Sequence, residues 1–316
     1  MKSICPRTEQ GSRANERVEH LNNENENLTR GHRKRPKKRI TWLVVARWVF
    51  IAVFAGVFVY SACMLGTYYL TSYNTQKNMA NLKNVVVDVQ ATPRPSPTLR
   101  PTPNPQETPE APKEIDWKVN EKYHPLVQLN SDVVGWIRIE GTNIDYPIMQ
   151  TSEDDPEYYL NHNFEKNSDV LGLPFLDARC ELMPNSDVML IYAHNIRSKI
   201  MFHHLTDYES EEFWLENQYV AFDTIYAQGT YQIFAVFRFD VARSDKLGFQ
   251  FHRYVDYSDE KEFAKQMEYV RDAALYDTGI APVYGDKLLV LATCEYSTWN
   301  SRLVVFAREV EYIPTE

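Results

Sequence analysis

Residues 48–70 carry no charge, and this run of Trp, Val, Phe, Ala, Tyr and Leu constrains the chain more than any other feature. Roughly 20 apolar residues cross the hydrocarbon core of a bilayer as a helix. A stretch apolar on every side, with Trp and Tyr near both ends, suits lipid better than a protein core. A cleaved signal peptide has a shorter polar lead and a shorter apolar run. The basic block His32-Arg-Lys-Arg-Pro-Lys-Lys-Arg39 precedes the run and little positive charge closely follows it. The expected topology is a single pass through the cell membrane, with the N-terminus in the cytoplasm and the chain from Pro93 onward outside. Taken alone, the block resembles a nucleic-acid patch. Beside a span it fixes topology and can touch anionic lipid, and a net charge of −9 gives the outer part no support as a nucleic-acid binder.

The rest of the chain divides around that span. Residues 1–40 form a polar, basic cytoplasmic segment, and residues 41–70 hold the transmembrane helix. Residues 71–112 begin with a polar juxtamembrane stretch that continues the helix for a few turns. They end in a proline-rich segment, residues 92–112, that favours an extended spacer of about 3 Å per residue. That composition makes a stalk. Residues 113–316 form the extracellular domain. Of four cysteines, Cys5 lies inside the cell, Cys63 within the span, and Cys180 and Cys294 outside. A domain of about 200 residues buries enough core without a staple, and a cysteine needed as a thiolate must stay free. No disulfide is expected.

Within the domain, residues 116–130 read as helix interrupted near Pro125, with Trp117, Tyr123, Leu126 and Leu129 packing. Strand patterns follow at 133–139, 144–149, 173–176 and 188–193, the last apolar enough for burial on both faces. Short helices are expected at 155–161, 200–205 and 209–217. Residues 219–225 and 231–239 read as a hairpin turning at Gln228-Gly229, and 259–274 has helical spacing. The last two strands flank a polar loop, with Cys294 ending one and Arg302 starting the other. About eight strands with short helices, and no regular strand–helix alternation, fit a mainly β fold: a closed or nearly closed barrel with peripheral helices.

The strand ends carry the chemistry. Antiparallel neighbours lie about 5 Å apart, so the Arg302 guanidinium can reach a group bound to the Cys294 sulfur. His194 ends the buried run 188–193 as Cys294 ends its own, which puts an imidazole on a rigid rim. Thiol nucleophile, imidazole acid/base and guanidinium for a carbonyl or oxyanion form a coherent set. No Asp is placed as a third triad member. No Cys-x-x-Cys, His-Glu-x-x-His, dinucleotide or phosphate-loop pattern occurs, so neither metal nor cofactor is expected. A stalked adhesion or sensing module with a merely buried Cys294 is the non-enzymatic alternative, and an extracellular cysteine peptidase is the enzymatic one.

Val134-Gly-Trp-Ile-Arg-Ile139, Tyr146-Pro-Ile148, Tyr159-Leu-Asn-His-Asn-Phe-Glu-Lys166, Tyr192-Ala-His-Asn195, Met201-Phe202 and Leu291-Ala-Thr-Cys-Glu295, followed by Arg302, occur in the order found in class B sortases, and the domain resembles that family. The resemblance implies an eight-stranded barrel with a catalytic set of His194, Cys294 and Arg302. It implies a membrane-anchored cysteine transpeptidase of Gram-positive surfaces. Such an enzyme cleaves a sorting signal of Asn-Pro-x-Thr type in secreted surface proteins or pilins. It joins them to an amine of a peptidoglycan precursor or a pilin lysine. Thr293, Glu295 (through its backbone N–H) and Asn161 are candidates for the substrate site. Ala292 stands where the family often has Ser, and Ala193 where it often has Gly; neither change touches the trio.

Overall fold

The computed structural model describes residues 42–87, 118–240, 249–294 and 301–315. Residues 65–316 make up one compact unit, and the residues before them belong to another. Helix α1 (Trp42–Val87) contains the uncharged run and is long and apolar enough to cross a membrane once. The basic block, Trp117 and the proline-rich segment lie outside the described residues.

The barrel strands are β1 (Val133–Arg138), β2 (Asp145–Met149), β3 (Phe175–Leu176), β4 (Val188–Ala193), β7 (Tyr219–Thr224), β8 (Ala227–Asp240), β9 (Leu288–Cys294) and β10 (Ser301–Pro314). They close into the eight-stranded barrel expected from the sequence, in the order β1-β2-β3-β4-β9-β10-β8-β7. A small hairpin outside the barrel pairs β5 (Asn195–Ile196) with β6 (Ile200–Met201). Helices α2 (His124–Leu129), α3 (Glu211–Glu216) and α4 (Glu260–Ala273) lie at the periphery. Asp259 caps α4 by accepting from the Glu262 N–H, which ties off one of the helix's orphan donors.

Strand β4 lies between β3 and β9 in the barrel. Its Val188, Met189, Leu190 and Ile191 are all buried, consistent with a strand covered on both faces. It runs parallel to β9, from Val188 opposite Leu288 to Ala193 opposite Thr293. Strand β9 in turn pairs antiparallel with β10, with Cys294 opposite Arg302.

Several local expectations shift. Residues 200–205 do not form one helix. Ile200 and Met201 belong to β6, and Met201 sits at φ 55°, ψ −133°, a backbone state that an L-residue holds only under outside constraint. The following 3-10 turn, Phe202–Glu209, begins with the Phe202 N–H donating back to the His194 carbonyl. Residues 155–161 contribute only the 3-10 turn Tyr158–Leu160. The β7–β8 hairpin forms, but it turns earlier than expected, and Gln228 and Gly229 lie inside β8. Gly229 answers a close approach rather than a turn: a Cβ there would stand 2.6 Å from the Phe222 carbonyl oxygen. Leu129 is exposed, while Tyr123 and Leu126 are fully buried as expected.

Candidate active site

The register of three strands builds the site. With Ala193 paired to Thr293 in parallel, the next residues along, His194 and Cys294, leave neighbouring strands at the same rim. The spacing between such strands is about 5 Å. Arg302 faces Cys294 across the antiparallel pair. Three residues scattered over the sequence thus meet at one end of the barrel. That rim opens into a cleft of about 470 Å³ whose walls include His194, Arg302, Leu160, Phe175, Tyr192 and Phe251. Phe175 and Tyr192 pack with ring centroids 5.6 Å apart and give the cleft part of its apolar wall.

His194 is held by the backbone. Its Nε2 lies 2.9 Å from the Leu160 carbonyl oxygen. A carbonyl only accepts, so Nε2 carries the hydrogen, and Nδ1 of the neutral ring is left as the proton acceptor. Burial pushes the imidazole pKa down; the Leu160 hydrogen bond opposes this, and the Arg302 charge pushes down further. His194 therefore sits below the ordinary 6.5 and is mostly neutral near pH 7. Arg302→Met is expected to raise the His194 pKa toward its ordinary value, because the change removes a repelling cation. Imidazole NMR titration of the variant beside wild type measures this, and an unchanged or lower value contradicts the arrangement.

Leu160 is itself fixed from behind. The buried Tyr159 hydroxyl donates to Asp132 Oδ2 and accepts from Asn130 Nδ2, each at 2.8 Å. Gly172, at φ 56°, packs so tightly that a Cβ would come within 2.4 Å of the Leu160 oxygen. Gly172→Ala is expected to destabilise the fold by about 1–3 kcal/mol and to lower turnover by moving the carbonyl that orients His194. Thermal unfolding and steady-state rates on one preparation measure both effects.

The other candidates separate. Thr293 lines the cleft, but it is buried and its hydroxyl donates to the Ala193 carbonyl at 2.9 Å, clamping β9 to β4. Asn161 is exposed and caps the 3-10 turn through its backbone N–H, while its neighbour Leu160 lines the cleft. Glu295 lies outside the described residues. Cys180 is a free, buried thiol that donates to the Val188 carbonyl. Burial pushes its pKa up to about 12, so it is inert at neutral pH. Among the described residues no cluster of His, Cys, Asp and Glu can hold a metal ion.

Sequence reasoning missed a second pair in the cleft. Arg179 grips Asp177 with two bonds of 2.8 Å and also donates to the His252 carbonyl at 2.6 Å. This fork pins the 3-10 turn Phe251–Arg253 to the start of the loop after β3. Asp177 and Arg179 are two apart in sequence, but their common partner is remote, and no local pattern announces it.

A closed barrel with an imidazole and a guanidinium flanking a cysteine-bearing strand end defines a thiol acyl-transfer type of architecture. The sortase domain model matches residues 137–310, more than half of the chain. Sortase B of Staphylococcus aureus is 26% identical over 197 residues, 61% of this chain and 76% of that protein. Among solved structures, Clostridium perfringens sortase B is 30% identical, with a TM-score of 0.54, over 59% of this chain and 98% of that one. A Staphylococcus aureus sortase B–substrate complex is 25% identical, with a TM-score of 0.55, over 63% and 87% of the two chains. The chain belongs to the sortase family, and within it to class B. It is a cysteine transpeptidase.

Proposed function

We propose that this enzyme cuts a sorting signal of Asn-Pro-x-Thr type in secreted proteins and joins them to an amine at the cell surface. Cys294, His194 and Arg302 do the chemistry. The observation carrying this reading is the strand register that sets His194 beside Cys294 and Cys294 across from Arg302. The proton of the Cys294 thiol passes to His194 Nδ1, and the thiolate attacks a backbone carbonyl of the signal. Arg302 donates to the oxygen as it takes negative charge. The C–N bond breaks, and the leaving amine takes its proton from His194. The thioacyl enzyme then meets an incoming amine, which gives a proton to His194 as it displaces the sulfur. The thiolate is restored.

The acceptor is an amine of a peptidoglycan precursor or a pilin lysine. The domain lies outside the cell, and α1 is its anchor. Protease protection of right-side-out membrane vesicles tests the sidedness. Digestion of the domain and survival of the basic N-terminal segment are expected. Intact domains in unpermeabilised vesicles contradict it.

Incubating the full chain in detergent with signal peptides of the Asn-Pro-x-Thr and Leu-Pro-x-Thr-Gly types tests the specificity, with oligoglycine or a lysine-bearing peptide as acceptor. Conjugates formed from the first type and one acceptor support the reading and name the acceptor class. Hydrolysis alone with every acceptor would recast the enzyme as a peptidase. Arg302→Lys is expected to lose about 10²-fold in kcat/KM, because an ammonium lacks the planar two-pronged donor. Wild-type rates for Arg302→Lys would remove the oxyanion role.

A further inference from the structure

The outward part of α1 does more than connect. Ser72, Thr75, Met79, Leu82 and Val86 recur at alternating steps of three and four, which places them on one helix face. All five are buried within the compact unit that contains the barrel. Met79, Leu82 and Val86 join the hydrophobic core, and Lys83 Nζ pairs with Asp145 Oδ2 at 2.8 Å. Apolar burial and an ion pair account for docking. The two hydroxyls need another explanation, because Ser and Thr add little to an apolar seam.

Each hydroxyl touches one of the two segments that hold His194. Thr75 Oγ1 donates to Asp169 Oδ2 at 3.0 Å, buried at both ends. The Asp169 N–H donates to the Asn161 carbonyl at 2.8 Å, one residue from the Leu160 carbonyl that receives the His194 ring. Asp169 is buried, and its carboxylate has two neutral donors as partners, the Thr75 hydroxyl and the Leu171 N–H. A buried carboxylate deprived of one donor must find water or move. On the other side, Ser72 Oγ donates to Ser198 Oγ at 2.9 Å. Ser198 lies in the turn of the β5–β6 hairpin, which begins immediately after His194. The far end of that hairpin returns the Phe202 N–H to the His194 carbonyl at 3.0 Å. Its strained Met201 N–H is satisfied by the Tyr146 hydroxyl at 3.1 Å.

We infer that the stripe Ser72, Thr75, Met79, Leu82 and Val86 is a positioning element of the active site. Docked, α1 braces the loop that orients the His194 ring and the hairpin that anchors its backbone. The helix that carries the apolar run thereby sets turnover as well as location. Thr75 and Asp169 are the principal positioning residues, and Ser72 and Ser198 assist. The inference rests on His194 being the acid/base of the reaction.

The test uses the full chain in detergent micelles with an Asn-Pro-x-Thr peptide and the acceptor it uses. Thr75→Val keeps the shape and removes the donor; it is expected to lower kcat roughly tenfold, since small displacements of a catalytic group are costly. KM should stay within about twofold, because the cleft walls are untouched. Thr75→Ser restores the hydroxyl and is expected to recover most of the rate. Asn81→Ala, on the exposed face of the helix, is the control and should behave as wild type. Adding Asp169→Asn to Thr75→Val should cost far less than the two single losses combined, the mark of one shared bond. His194→Ala, run alongside, separates the two claims. Wild-type turnover by His194→Ala removes both the acid/base reading and the brace. An inactive His194→Ala beside a fully active Thr75→Val, or a Thr75→Val defect that Thr75→Ser does not rescue, overturns the brace alone.

Discussion

Cys294→Ala is expected to leave no acyl transfer above background, a loss of at least about 10³-fold. Cys180 is buried, and its thiol is pushed to about 12, so it cannot substitute. The fold should survive the change, because Cys294 ends β9 after the buried run Leu288 to Ala292. Equal thermal stability with abolished transfer is the expected pair of results. Residual transfer above a few per cent would mean that another nucleophile acts.

His194→Ala is expected to cost about 10²–10⁴-fold in kcat/KM. Two losses combine. The cysteine loses the base that accepts its proton, and the departing amine loses the acid that protonates it. Burial and Arg302 hold the imidazole below its ordinary range, so the neutral ring predominates near pH 7. The rate should follow a bell in pH whose limbs belong to the pair rather than to either residue. His194→Ala should abolish the bell as well as the rate. A bell of unchanged shape in the variant would assign the limbs to other groups.

Much of this was legible because neighbouring strands can be read locally. The runs ending at Cys294 and starting at Arg302 are close in sequence, and their pairing follows from two apolar segments around a polar loop. The partnership of β4 with β9 was not legible in that way. Parallel neighbours need a long crossover, and no local pattern reports one. What remained visible was that His194 and Cys294 each follow a buried run, and that clue pointed to the same rim. The Leu160 carbonyl was invisible because every residue has one. The family-like stretch at Tyr159-Leu-Asn drew attention to Asn161, whereas the neighbouring backbone oxygen makes the contact. Gly229 misled because glycine marks both turns and close approaches. In α1 nothing local singles out Ser72 and Thr75, because their partners lie 126 and 94 residues away.

The central claim is that Cys294 carries the acyl group. Intact-mass spectrometry of the full chain, taken during turnover of an Asn-Pro-x-Thr peptide and followed by fragment mapping, tests it most directly. The expected result is an added mass equal to the N-terminal part of the cleaved signal, located on Cys294 and discharged when an amine acceptor is added. Cleavage of the peptide with the acyl group on another residue, or transfer that persists in Cys294→Ala, would contradict it.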